Sequence, residues 1–215
     1  MNGGHCAPGR AARLRLRRSL HVASHGAHLL DRKLHLLQRE HSALTRVQRD
    51  CAAGWRARVA DAETWLLRGV LLGGEHALTA AAAGAGGPAV VAVQWTTSLG
   101  VRRPASAAVQ VPPRAPDTAA PGNTALVRAE AVYREVVRSA ASYAAAQAAV
   151  RIVEAEMSRT QRRVRVLRRH WIPRLQRELD RVERVLEQAE HEDAVRLRRA
   201  HAWRGHGGGG TAGRG

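Results

Sequence analysis

Phenylalanine is absent from this chain of 215 residues, and five Trp and two Tyr bring the aromatic share to only 3 %. Aromatic side chains dominate the burial of compact cores, so an enzyme domain folded around a deep pocket is a poor expectation. Lysine is nearly missing as well: of 35 Lys+Arg, Lys33 is the only lysine. Acidic residues number 18, which leaves a formal net charge of +17. Such a chain attracts nucleic acid, acidic membranes or acidic protein surfaces, without the charge choosing among them. Cys6 and Cys51 lie far apart and supply no disulfide framework, which fits a reducing, cytosolic setting. Residues 1–20 hold five Arg and no apolar stretch, so they do not read as a secretory signal. The longest uncharged run, Ala77 to Val101, is broken by Gly84 and by Gly86-Gly87-Pro88. It falls short of the roughly 20 predominantly apolar residues of a membrane-spanning helix, and the chain reads as soluble.

What is abundant is alanine, about a fifth of all residues, together with Leu, Arg and Glu. That composition belongs to long helices and coiled coils. From Arg10 to Leu72 there is no proline, and a 3–4 stepping series runs through Leu16, Leu20, Ala23, Ala27, Leu30, Leu34, Leu37, His41, Leu44, Gln48, Cys51, Trp55, Arg58, Ala62 and Trp65. Positions between them are mostly polar. The series predicts a narrow coiled-coil seam on a first helix over 10–72, about 95 Å long at 1.5 Å per residue, ended by Gly73-Gly74.

Residues 73–123 change character to Ala, Gly, Pro and β-branched residues with little charge. The stretches from Ala89 to Thr97 and from Ala105 to Val111 read as two strands of a hairpin. Leu99-Gly100 and Arg103-Pro104 form a long loop between them. Pro112, Pro113, Pro116 and Pro121 make an extended linker. Asn123 or Thr124 can cap a second helix over 124–203. Its seam passes through Ala146, Val150, Val153, Met157, Thr160, Val164, Leu167, Trp171, Leu175, Leu179, Val182, Leu186 and Ala189. Around Trp171 three four-residue steps follow one another, and Pro173 should kink the helix there. Residues 1–9 read as a flexible N-terminus and 204–215 as a Gly-rich disordered tail.

Two such helices bury their seams as an antiparallel two-helix coiled coil, giving a mainly α fold with a small central insert containing the β-hairpin. The expected shape is a rod with a knob at one end. With flush free ends, facing residue numbers sum to roughly 213 at equal rise per residue. The acidic stretch from Glu178 to Asp193 then lies beside His21, His25, His28, Arg32, Lys33 and His35, and Gly26 with Ala23 permits close approach.

Chemistry of its own is harder to find. A phosphate-binding P-loop requires Gly-Lys-Ser/Thr, and Lys33 is followed by Leu34. His21, His25 and His28 share a helix face, but no Cys or carboxylate completes a closed metal site, so they read as a solvated face. No cofactor or metal is expected. Arg159, Arg162, Arg163, Arg165, Arg168, Arg169, Arg174 and Arg177 form a cationic stretch without an acid. Nucleic-acid binding by a basic coiled coil, or service as a structural spacer, are the alternatives that such a stretch leaves open, although the base-stacking aromatics of single-strand binders are nearly missing.

The ends of the two helices carry a pattern. Pro8-Gly-Arg-Ala-Ala-Arg-Leu-Arg-Leu-Arg-Arg followed by Gly26-Ala-His-Leu-Leu-Asp-Arg-Lys-Leu-His-Leu-Leu resembles the start of the D subunit of V-type (vacuolar/archaeal-type) rotary ATPases, which reads approximately Gly-His-x-Leu-Leu-Lys-x-Lys-Arg-x-x-Leu. Arg163-Val-Arg-Val-Leu-Arg-Arg-His-Trp-Ile-Pro-Arg-Leu is similar to that family's Arg-Val-Asn-Ala-Leu-Glu-x-x-x-Ile-Pro-x-Leu. The matching positions are Gly26, Leu29, Leu30, Lys33, Arg163, Val164, Leu167, Ile172 and Pro173. Asp31 stands where the family usually has Lys, and Arg165 and Arg168 stand where it has Asn and Glu. The resemblance implies a non-catalytic central-stalk shaft, cytoplasmic and peripheral to the membrane. Its free ends would enter the ring of catalytic A and B subunits, a small F subunit would bind its side, and the hairpin end would reach the socket subunit (C/d type) of the membrane rotor. The shaft would transmit torque without binding ATP or entering the membrane. Arg159, Arg162, Arg165, Arg168 and Arg169 would be the ring-facing basic residues.

Overall fold

The computed structural model describes residues 9–84, 86–114 and 118–207. Helix α1 spans Arg10–Ala83, strands β1 and β2 span Val90–Ser98 and Val101–Gln110, and helix α2 spans Thr124–Val166. A π turn over Leu167–Trp171 joins α2 to helix α3, Ile172–Gly207. The long helix α1 and the long C-terminal helical run pack together, with the two-stranded antiparallel hairpin between them in sequence. The N-terminal segment 1–8, Pro116 and the tail from residue 208 lie outside the described residues. Among the described residues no helix is long and apolar enough to cross a membrane.

Two compact units make up the chain. One spans Arg32–Thr160; the other holds the described residues up to Asp31 and from Gln161 onward. Within the first, Leu37, Val101 and Val153 form a buried cluster, with Leu44, Ile152 and Met157 packed against it. In the second, Ala12, Ala23, Ala27, Val164, Leu175 and Leu179 are buried. Small alanines on one helix and larger aliphatics on the other fill a narrow interface without aromatics, as the seam periodicity requires.

The first helix is interrupted at the glycines expected to end it, and helical structure resumes beyond them. Gly74 adopts φ 67° and ψ 176°, which breaks the helix, and a further helical stretch carries on to Ala83. A positive φ is cheap only for glycine, and the alanine-rich stretch after it has high helix propensity. Gly69 is where α1 comes close to the start of α2: a Cβ there would sit 2.5 Å from Leu126 Cδ2. Gly26, by contrast, faces open space, so it is Ala23 and Ala27 that are buried at that level. Asn123 is the cap of α2, its Oδ1 accepting from the Leu126 N–H at 2.9 Å while its Nδ2 donates to the Gly69 carbonyl at 3.0 Å.

The hairpin loop is tight rather than long. Leu99 and Gly100 alone connect the strands, with φ of 53° and 78°, the two positive values of a type I′ turn. Pro104 belongs to β2 because the ladder skips a residue there, pairing Gln94 with Ser106 and Trp95 with Pro104. Such a bulge accommodates a residue that cannot donate to the ladder. Nor does the hairpin stand off from the helices as a separate knob. Its turn region reaches Glu40, which accepts from Arg103 Nε at 2.8 Å and from Ser98 Oγ at 3.0 Å, and Val101 is buried with Leu37 and Val153.

Candidate functional site

The first motif runs along α1. Leu29 is exposed, Leu30 half-buried, and Lys33 Nζ donates to Glu156 Oε1 at 2.8 Å. Two ion pairs set the antiparallel register toward the free ends, Arg10 with Glu190 at 3.3 Å and Arg17 with Glu183 at 2.6 Å. Their residue numbers sum to 200 in both cases, and those of the Asp31–Arg168 pair to 199. The flush arrangement is therefore displaced by about 20 Å, with α3 extending past the start of α1. At this register His25 and His28 fall beyond the acidic stretch, level with Leu175 and Ile172, and His21, level with Leu179, reaches only its start. His21, His25 and His28 are exposed, and the first two stack with ring centroids 6.4 Å apart. Among the described residues no group of three or more His, Cys, Asp or Glu is placed to hold a metal ion.

The second motif contains the π turn. Val164 is buried and Leu167, Ile172 and Pro173 are half-buried, whereas Arg163 is exposed. The Ile172 N–H donates to the Leu167 carbonyl, a five-residue bond. Seam positions now read Thr160, Val164, Leu167, Ile172, Leu175, Leu179, Val182 and Leu186, a 3–4 alternation with a single five. Trp171, expected in the seam, is 49 % exposed. A π turn holds one extra residue without rotating the helix beyond it, so the surplus residue is absorbed locally instead of by supercoiling. The proline, which lacks an N–H, comes directly after the turn, where winding changes from five-residue to four-residue bonds.

Two departures from the resembled pattern meet in space. Arg168 Nη2 donates to Asp31 Oδ2, so the positions usually held by Glu and Lys carry a pair of inverted sign. Charge inversion at a facing pair keeps the attraction and changes only which helix holds which sign. With Arg168 54 % exposed, the pair is worth up to about 1 kcal/mol. Asp31→Lys alone or Arg168→Glu alone should each destabilise the chain by about that amount at low salt, and the double exchange should recover it. Urea unfolding in a double-mutant cycle decides this: additive losses would show that the two residues do not act as a pair.

The cationic stretch divides. Arg168 is held by Asp31, Arg174 by Glu178 at 3.1 Å, and Arg159 lies 3.9 Å from Glu156. Arg162, Arg163, Arg165 and Arg169 are exposed and form no ion pair among the described residues.

Several groupings had no signal in the sequence. Arg114 donates to the Ala81 carbonyl at 2.9 Å and to Glu130 at 2.8 Å, and Arg134 meets the same carboxylate at 2.7 Å. Beside them Leu66, Leu78, Val111, Leu126, Tyr133 and Val137 line a cleft of about 410 Å³. The pairings of Glu40 with Arg103 and of Glu156 with Lys33 were equally silent, since each joins residues dozens of positions apart in sequence. Only the Ala- and Gly-rich composition around Gly84 hinted at tight packing; a Cβ there would lie 2.2 Å from Arg114 Nη1.

The sequence model of the family described as the D subunit of ATP synthase matches residues 12–202. No individually curated protein matches the chain.

Proposed function

Because the chain belongs to the ATP synthase D-subunit family, a central-stalk component of V-type rotary ATPases engaged in ion transport, we propose that it is the rotor shaft that carries torque between ATP turnover and ion translocation. The free ends of the coil enter the ring of catalytic A and B subunits. A small F subunit binds its side, and the socket subunit of the membrane rotor receives the other end. The chain itself is non-catalytic and peripheral to the membrane. The family match over 12–202 is the observation that carries this reading. The paired helices suit a shaft: long hydrogen-bonded helices packed along a buried apolar seam, with ion pairs between them.

A shaft biases a catalytic subunit only through contacts that differ between that subunit's open and closed states. Exposed guanidinia suit that role, because they reach acidic loops at long range and are screened when salt is raised. Arg159, Arg162, Arg165 and Arg169 are the residues we assign to the ring side. Arg168 is committed to Asp31 and acts on shape rather than on a partner.

Co-expression with the neighbouring A, B and F subunits tests the reading. One copy of the chain per three A and three B in an ATPase-active particle is the expected stoichiometry. Failure to enter the ring, together with nucleic-acid binding that falls steeply with salt, would replace the shaft by a basic coiled coil of another kind.

A further inference from the structure

The hairpin is a sheet of only two strands, so each strand keeps one side without a ladder partner. Edge strands are commonly guarded by proline, charge or a bulge. β2 has all three, in Pro104, in Arg102 and Arg103, and in the extra residue it carries opposite the Gln94–Trp95 step. β1 reads Val-Val-Ala-Val-Gln-Trp-Thr-Thr-Ser, nine residues without a charge or a proline. Its Val90, Val91, Val93 and Trp95 are between 42 % and 62 % exposed. Among the described residues no backbone hydrogen bond joins β1 to anything but β2. The helices hold the hairpin near its turn, through Val101 and the Glu40–Arg103 pair, and leave Val90 to Trp95 uncovered.

The turn sets the geometry of that free side. In a two-residue hairpin the residues flanking the loop, here Ser98 and Val101, exchange both of their backbone bonds. Alternation along β1 then points the amides and carbonyls of its even-numbered residues at β2, and those of Val91, Val93, Trp95 and Thr97 outward. Pro104 fits the scheme, because it faces Trp95, a residue that asks β2 for no bond. The side chains of Val91, Val93 and Trp95 also share one face.

An antiparallel second β1 centred on Val93 meets this edge in register. Val93 faces its own copy and Val91 faces Trp95, all with outward backbone groups, so about six hydrogen bonds form across the dyad. The facing side chains are aliphatic with aliphatic and aliphatic with aromatic, pairs that stabilise a sheet, and no like charges stand opposite. We propose that the outer edge of β1 pairs with the same edge of a second copy of this chain, giving a four-stranded antiparallel sheet on a two-fold axis. What selects this occupant is self-complementarity: an uncharged strand whose outward groups and exposed side chains match their own reverse. A shaft enters its ring as one copy, so the pairing belongs to the chain before assembly and is independent of the shaft reading. The contact is small, of the weak class that buries less than about 1,200 Å², and two chains of net charge +17 repel each other. Salt screens that repulsion without weakening an uncharged contact, so the dimer should strengthen as salt rises.

Sedimentation equilibrium of the full chain over a wide concentration range, at low and high salt, tests this together with amide hydrogen exchange. Wild type should pass from monomer to dimer with concentration, and at a lower concentration in high salt. The outward amides of Val91, Val93 and Trp95 should slow as the dimer forms, whereas those of Ala92 and Gln94 are slow already in the monomer. Val93→Pro removes an outward N–H and leaves the β1–β2 ladder its donors. It should raise the dissociation constant about tenfold or more. Val93→Lys sets two cations face to face on the axis and should act in the same direction, most strongly at low salt. Val22→Lys adds the same charge at an exposed position outside the hairpin and should stay within about twofold of wild type. If Ala92 and Gln94 lose protection in the proline variant, the hairpin itself has opened and the lysine variant decides. A chain that is monomeric at every concentration overturns the proposal and leaves the edge to a strand of another protein. A dimer that both Val93 variants keep, or one that rising salt dissolves, overturns it as well.

Discussion

Deleting Arg169 from a chain that also carries Pro173→Ala is expected to leave the free energy of unfolding within about 1 kcal/mol of wild type, whereas deleting Arg39 should cost more than about 4 kcal/mol. Both arginines are exposed, so neither loss comes from the side chain removed. The difference is phase. Past Arg39, a deletion turns every following seam residue by about 100° around α1, taking Leu44, Ala52 and Ala62 out of the interface, and no π turn lies within α1 to absorb the change. Between Leu167 and Ile172 the chain already carries one residue too many. Removing it converts the five-residue step into a four, restores the 3–4 alternation on both sides and lets the turn wind as α-helix. Proline must go at the same time. With four-residue bonds through the site, Pro173 would face the carbonyl of a continuous helix and cost about 3 kcal/mol. Deletion of Arg169 alone is therefore expected to lose about that much. Far-UV circular dichroism through thermal and urea unfolding reads all three variants. Equal losses for the Arg169 and Arg39 deletions would show that the π turn is not where the extra residue is stored.

That contrast also marks where the sequence was readable and where it was not. Seam membership is local information: a 3–4 spacing of apolar residues places Leu37, Ala62, Val153, Thr160 and Val164 inside, and all five are buried. At Trp171 and Ile172 two adjacent apolar residues competed for one seam position. Periodicity favoured the first, and the five-residue bond of Ile172 decided for the second. Pro104 looked like a loop residue because a proline cannot serve a ladder, yet a bulge at Trp95 excuses it. Helix register is not local at all. The flush arrangement assumed equal ends, while Arg10 with Glu190 and Arg17 with Glu183 fix a displaced one. Tertiary pairings such as Glu40 with Arg103, or Arg114 with Glu130, join residues whose types are ordinary and whose separation carries no pattern.

Leu37→Ala should be among the most damaging single substitutions, at about 2–4 kcal/mol. A chain poor in aromatics, with a seam rich in alanine, keeps few large side chains out of water. Among the described residues only Leu37, Val153 and Thr160 rank as the largest fully buried side chains, so little redundancy backs up any one of them. Leu37 also holds two things at once. It meets Val153 in the coil and Val101 from β2, with Leu44, Ile152 and Met157 closing the cluster. An isolated two-stranded hairpin is marginal in water, and Val101 is its principal apolar tether, beside the Glu40–Arg103 ion pair. A cavity at Leu37 should therefore loosen the hairpin before the helices separate. Hydrogen exchange at β1 and β2 amides should rise while the helical amides around Ala52 and Ala62 stay protected. Leu36→Ala, one residue away and largely exposed, should change stability by less than about 0.5 kcal/mol. If both substitutions cost the same, or if the hairpin amides keep their protection in Leu37→Ala, the cluster does not tether the hairpin. The ion pair at Glu40 would then have to hold it, and Glu40→Gln should release the strands where Leu37→Ala did not.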